Sequence, residues 1–121
     1  MTIKKVASTK DCMLISLGSN IDKERNTYRG FDALYNAFGS LTLAPIYESK
    51  SIGFKGDNFY NSVVLAYTDK SIAQVCEVLK GIEDDCGRTR HSAKFSSRTL
   101  DLDLLTFDSV VCSEPISLPL E

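Results

Sequence analysis

The alternation of apolar and polar positions resolves the chain into a short series of strands and two helices. Residues 1–10 are polar and carry no periodicity. Cys12 to Leu17 is continuously apolar, as a buried strand is. Gly18-Ser19-Asn20 predicts a turn, with Asn20 or Asp22 placed to cap the next element. From about Lys23 to Phe38, Tyr28, Phe31, Leu34, Tyr35 and Phe38 recur at steps of three and four. That spacing predicts a helix with an aromatic stripe facing the core, closed by Gly39. Leu41 to Tyr47 reads as extended, and Pro45 within it marks an edge strand or a bulge. Gly53, Gly56 and Asp57 make 48–57 an exposed loop. Phe59 to Tyr67 is rich in β-branched and aromatic residues, a strand with Val63, Leu65 and Tyr67 on one face.

Ser71-Ile-Ala-Gln74 has the form of a capping box. Behind it Ile72, Val75, Cys76, Leu79 and Ile82 repeat at helical spacing until Cys86-Gly87. Residues 88–98 lack periodicity. Thr99 to Phe107 then alternates, with Leu100, Leu102 and Leu104 on one face and Asp101 and Asp103 on the other. Val110-Val111 suits a short strand pairing back. The order strand, helix, strand, strand, helix, strand is the split β-α-β pattern. It predicts an α+β ferredoxin-like sandwich: one mainly antiparallel sheet with helices packed on it.

Composition narrows the class without changing that picture. At 121 residues the chain fits a single domain, 1–121, able to bury roughly two thirds of its unfolded surface. Net charge is −2, with 43% hydrophobic and 25% charged residues, which excludes collagenous, mucin-like and wholly disordered classes. The acidic balance also argues against nucleic acid or membrane as a bulk electrostatic partner. The longest strongly apolar run, Met13 to Leu17, is far short of the ~20 residues a bilayer needs. No small-residue cleavage signal comes after it. Cys12, Cys76, Cys86 and Cys112 are scattered, and His91 is the lone histidine, so neither a disulfide framework nor a zinc site is expected. Free thiols suit a cytoplasmic protein.

The charge is unevenly distributed. Arg88, Arg90, Lys94 and Arg98 crowd four of the 14 positive charges, with His91, into residues 88–98. Glu83, Asp84 and Asp85 precede them, and Asp101 and Asp103 come after. Residues i and i+2 of a strand point the same way, roughly 6.5–7 Å apart. Two carboxylates so placed repel unless a cation sits between them. Their hard oxygens suit Mg²⁺, which takes one or two protein carboxylates together with phosphate oxygens and water. Arginines nearby supply forked donors that match phosphate. Dicarboxylate, metal and arginine clamp together are the parts of a phosphoryl-transfer site. Neither the P-loop pattern nor a Gly-x-Gly-x-x-Gly motif occurs, so the site is built another way.

Three stretches complete the pattern: Leu17-Gly-Ser-Asn20; Tyr47-Glu-Ser49 with Gly53 and Phe59-Tyr-Asn61-Ser-Val; and Glu83-Asp-Asp-Cys-Gly87-Arg88-Thr-Arg90 leading to Arg98-Thr-Leu-Asp101-Leu-Asp103-Leu-Leu. From Leu14 to Leu118 the chain resembles the 6-hydroxymethyl-7,8-dihydropterin pyrophosphokinases. The resemblance implies a Mg-dependent enzyme of folate synthesis that moves pyrophosphate from ATP onto the pterin hydroxymethyl group and releases AMP. It implies that Asp101 and Asp103 hold two Mg²⁺ ions, and that Arg88 and Arg98 steady the phosphates as catalytic residues. Arg88, Arg90, Lys94 and Leu104 would contact ATP. Ser49, Ile52, Phe59, Asn61 and Phe95 would form the pterin pocket, Phe59 stacking on the ring and Asn61 bonding its polar edge.

The sequence departs from the family in places. Ser96-Ser97 stands where the family has Gly-Pro, and Lys50-Ser51 replaces a proline-rich pair. The family continues past the position of Pro119 with a histidine, an arginine and an aromatic; here Leu120-Glu121 ends the chain and resembles a cloning scar. The expectation is a chain lacking its last segment, with weak turnover as written. A non-catalytic pterin- or nucleotide-binding relative remains the alternative. A single-stranded RNA module is disfavoured, since no aromatic-rich strand motif accompanies Phe59.

Overall fold

Among the described residues seven elements follow in order: β1 (Asp11–Ser19), α1 (Lys23–Phe38), β2 (Thr42–Leu43), β3 (Tyr47–Ser49), β4 (Phe59–Thr68), α2 (Ile72–Asp85) and β5 (Asp101–Phe107). They belong to a computed structural model that describes residues 10–50, 57–87, 99–108 and 118–119. The strands form one five-stranded antiparallel sheet in the order β2-β4-β1-β5, with β3 also on β4. β4 is thus inserted between the first strand and the second, broken strand, as a split β-α-β unit requires. This is the expected α+β ferredoxin-like arrangement. Val110-Val111 lies outside the described residues.

Both helices pack on one face of the sheet. Met13, Ile15 and Leu17 of β1 meet Val64 and Ala66 of β4, Leu102 and Leu104 of β5, Phe31 and Leu34 of α1, and Val75, Leu79 and Ile82 of α2. β1 alternates buried and half-buried positions, so its apolar run is a strand covered on one side, not on both. In β4 the even residues Ser62, Val64, Ala66 and Thr68 face the helices. Val63, Leu65 and Tyr67 therefore lie on the open face, with Tyr67 exposed.

The expected turn at Gly18-Ser19-Asn20 is corrected: β1 continues through Ser19, because Gly18 and Ser19 pair with Asn61 and Tyr60. Pairing across the sheet overrides the turn propensity of these residues. Asp22 occupies the N-cap of α1 but makes no side-chain cap; the Asn26 amide instead donates to the Ile21 carbonyl at 2.6 Å. Gly39 closes the helix at φ 81°, its N–H donating to the Tyr35 carbonyl. The aromatic stripe also needs correction. Asn26, Thr27, Gly30, Phe31 and Leu34 are buried, whereas Tyr28 and Tyr35 are 55% and 60% exposed. The inward face runs through Thr27, Gly30, Phe31 and Leu34, and the two tyrosines flank it. Gly30 permits this close approach: a Cβ there would stand 2.7 Å from Leu17 Cδ1 and 3.0 Å from Leu100 Cδ1.

Pro45 divides the extended segment into β2 and β3, and the register on β4 moves by one residue between Leu43↔Val64 and Tyr47↔Asn61. Glu48 and Ser49, expected in a loop, belong to β3. Ser71 and Gln74 form the capping box of α2 as expected. In β5 the leucine face is buried as expected, and a register shift at Leu14/Ile15 of β1 adds one residue near Leu105. This bulge turns Phe107 to the same buried side as Leu102 and Leu104. At that end of the strand Asp108 meets Cys12, its N–H donating to the Cys12 carbonyl at 2.6 Å and its carboxylate accepting from the Cys12 N–H, and its side chain hydrogen-bonds that of Asp11. Among the described residues no helix is long and apolar enough to cross a membrane.

Candidate active site

The face of the sheet opposite the helices gathers the polar side chains. Gly18 pairs with Asn61 on one side and with Asp101 on the other, and Ser16 pairs with Val63 and Asp103. Asn61 and Asp101 therefore sit in one row across three strands, with a residue lacking a side chain between them. A Cβ at Gly18 would lie 3.4 Å from Asn61 Oδ1 and 3.8 Å from Phe59 Cδ1. Its absence leaves a cavity of about 280 Å³ lined by Ser16, Leu17, Gly18, Phe59, Asn61, Asp101 and Asp103. Small residues in the middle strand form its floor, the aromatic and amide of β4 one wall, and the carboxylates of β5 the other.

Hydrogen bonds hold these walls. Asn61 Nδ2 donates to Ser49 Oγ at 2.7 Å, which fixes the amide orientation and brings β3 to the rim. Ser19, fully buried, donates from Oγ to the Thr99 carbonyl at 2.6 Å, just ahead of Asp101. Asn20, also buried, donates from Nδ2 to the Asp57 carbonyl at 3.1 Å, just ahead of Phe59. The Leu-Gly-Ser-Asn stretch thus supplies the floor and then anchors the entrances of both flanking strands. From α2, Glu83 Oε2 accepts from the Leu102 N–H at 2.9 Å, between the two aspartates.

Of the residues singled out in the sequence, Asp101, Asp103, Phe59 and Asn61 converge on this cavity, and Ser49 joins through Asn61. Leu104 is buried on the helix side, so only its backbone is left to face a nucleotide. Ile52, Arg88, Arg90, Lys94, Phe95 and Arg98 lie outside the described residues. Ser16, Gly18, Ser19, Asn20 and Glu83 also belong to the site or its supports, although the sequence gives none of them a binding or catalytic role. A glycine inside a strand marks a close approach of neighbouring groups, but in the sequence Gly18 reads as part of a turn and gives no such signal.

Among the described residues no cluster of three or more metal-ligating side chains occurs. Asp101 and Asp103 form a pair on one strand face, the donor set of a Mg²⁺ site completed by phosphate oxygens and water. The residues present fit such an ion. A larger cavity, about 440 Å³, lies between α1 and the β3–β4 edge, lined by Glu24, Thr27, Tyr28, Ile46, Glu48 and Tyr60. Two of its lining residues are engaged by Lys23, whose Nζ stands 3.6 Å from Glu48 Oε1 and 4.8 Å from the centre of the Tyr60 ring.

The class these observations define is an antiparallel α+β sandwich with a carboxylate pair, Asp101 and Asp103, on its open face. Residues 14–121 match the family described as 7,8-dihydro-6-hydroxymethylpterin-pyrophosphokinase. The chain is 35% identical, over 115 residues, to the 2-amino-4-hydroxy-6-hydroxymethyldihydropteridine pyrophosphokinase of Campylobacter jejuni, covering 89% of this chain and 71% of that one. The enzymes of that name from Bacillus subtilis and Helicobacter pylori are 33% and 28% identical, over 78% and 96% of this chain and 58% and 75% of their own lengths. The chain belongs to the 7,8-dihydro-6-hydroxymethylpterin-pyrophosphokinase family. Membership sets its function as pyrophosphate transfer to the pterin in folate biosynthesis.

Proposed function

We propose that this chain uses the Gly18-floored cavity to transfer the β,γ-pyrophosphoryl unit of ATP to the hydroxymethyl group of 6-hydroxymethyl-7,8-dihydropterin. The hydroxyl oxygen forms a bond to the β-phosphorus and loses its proton. The bond from that phosphorus to the oxygen bridging to the α-phosphorus breaks, and AMP leaves with the oxygen. The observation that carries this reading is the placement of Asn61 and Phe59 opposite Asp101 and Asp103 across Gly18. An aromatic face and an amide suit a flat heterocycle with a polar edge, and they stand beside a carboxylate pair suited to a metal-bound polyphosphate.

Phe59 stacks on the pterin, while Asn61, held by Ser49, hydrogen-bonds its edge; Ile52 and Phe95 complete the pocket. Asp101 and Asp103 hold Mg²⁺, two ions by the family resemblance, which when bound supplies positive charge against the phosphates. Arg88 and Arg98 steady the transferring group, and Arg90, Lys94 and the Leu104 backbone hold ATP. Among the described residues Cys12, Cys76 and Cys86 form no disulfide, which suits the cytoplasm. The small-molecule partners are ATP and the dihydropterin, with no nucleic acid required.

Formation of AMP from ATP and the dihydropterin, monitored by a coupled assay on the full-length protein, tests this function. Asp101→Ala and Asp103→Ala are each expected to lower Mg²⁺-dependent turnover by more than about 100-fold, beyond the usual loss of an outer-shell partner. Unchanged rates in both variants overturn the metal assignment.

A further inference from the structure

Among the described strands β5 pairs with β1 on one side and with none on the other. Its N–H at Leu102, the residue between the two aspartates, is bound by Glu83 Oε2 at 2.9 Å. Glu83 is 3% exposed and belongs to the last turn of α2. Two effects disfavour a carboxylate there. Burial penalises its charge, and the C-terminal end of a helix carries partial negative charge of its own. Asp84 and Asp85 come directly after it, and that turn contains no basic residue. What the Glu83 carboxylate holds bears directly on the aspartate pair. It holds the peptide joining Asp101 to Leu102, whose orientation sets the directions of the flanking Asp101 and Asp103 side chains. Leu102 is pinned on the core side as well, being 5% exposed.

We infer that Glu83 is a positioning residue for the Asp101/Asp103 pair: its carboxylate takes the part of a neighbouring strand at Leu102 and fixes how the two aspartates present their oxygens to a divalent cation. The inference rests on the metal-binding reading of that pair. Reach, rather than charge, is the property required, so two conservative substitutions separate the possibilities. Glu83→Gln keeps the length and an acceptor oxygen; Glu83→Asp keeps the charge but is one methylene too short.

Mn²⁺ binding, measured by electron paramagnetic resonance in the presence of a non-hydrolysable ATP analogue, reads the site without turnover. Circular dichroism and urea unfolding of each variant confirm that the folded chain is being measured. Glu83→Gln is expected to bind Mn²⁺ within about threefold of the unaltered chain, and Glu83→Asp about tenfold or more weakly, as outer-shell partners of metal ligands do. Unaltered binding in Glu83→Asp, with only the urea midpoint lowered, overturns the inference and makes Glu83 a structural staple. Weak binding in Glu83→Gln with unaltered binding in Glu83→Asp also overturns it, since charge would then be the operative property. Failure of the unaltered chain to bind Mn²⁺ is a separate result that overturns the metal reading of Asp101 and Asp103 along with it.

Discussion

Gly18 shows how a single missing side chain creates a site. With Asn61 on one flank and Asp101 on the other, any larger residue there would fill the space that a ligand needs. Asn61 in turn depends on Ser49, since the 2.7 Å hydrogen bond fixes which end of the amide faces the cavity. Removing the amide should weaken pterin binding more than it slows transfer. Asn61→Ala is expected to raise KM for the dihydropterin about tenfold, one lost hydrogen bond being worth up to about 1.5 kcal/mol. The expected kcat change is smaller, because the contact is made equally in ground and transition states. Steady-state kinetics that leave KM unchanged would remove Asn61 from the pocket. The carboxylate pair was legible in the sequence because Asp101 and Asp103 alternate with leucines that only one face can bury. Gly18 and Glu83 were not, since their roles appear only once register places Gly18 between two strands and α2 beside Leu102.

Among the elements, helices were read more faithfully than strands, for reasons of range. The α2 start is encoded by Ser71 and Gln74, three residues apart, and both capping bonds form. The extent of α1 is set by local spacing, yet its inward face is not, because Tyr28 and Tyr35 share the period of the core residues and differ only in what stands opposite. Long-range pairing decided the rest. It carried β1 through a sequence that reads as a turn, and it placed the β5 bulge where nothing in Leu104-Leu105-Thr106 marks it. The seat of α1 on the sheet supplies a sharper test. Gly30→Ala would bring a methyl group within 2.7 Å of Leu17, which is itself 1% exposed. Overpacking costs about 1–3 kcal/mol, against about 1 kcal/mol gained in helix propensity. A net loss in urea midpoint is expected; a midpoint at or above that of the unaltered chain would show that Leu17 and Leu100 can give way.

For the molecule as a whole, β1 joins two regions with different demands, the cavity at Gly18 and the Asp11–Asp108 contact at the other end. Asp11 retains its proton above the ordinary value of 3.8, first through its hydrogen bond with Asp108, then through desolvation and the Asp108 charge. A carboxyl whose folded pKa is raised supports folding while protonated. That support is complete below the unfolded value and is lost as pH rises through the folded one. Asp11→Asn, neutral throughout, should therefore be more stable relative to the unaltered chain as pH rises from about 4 towards neutrality. Urea midpoints measured across that range would show the two curves diverging; parallel curves would dismiss the pair. The sheet order has one more effect, on the timing of assembly during translation. β1 emerges first, and its partner β4 can close the amide and aromatic wall upon it soon afterwards. The carboxylates reach the other flank of β1 only when β5 docks, across some eighty residues of intervening chain that include both helices. The wall bearing Phe59 and Asn61 can therefore stand beside β1 before the wall bearing Asp101 and Asp103 is in place.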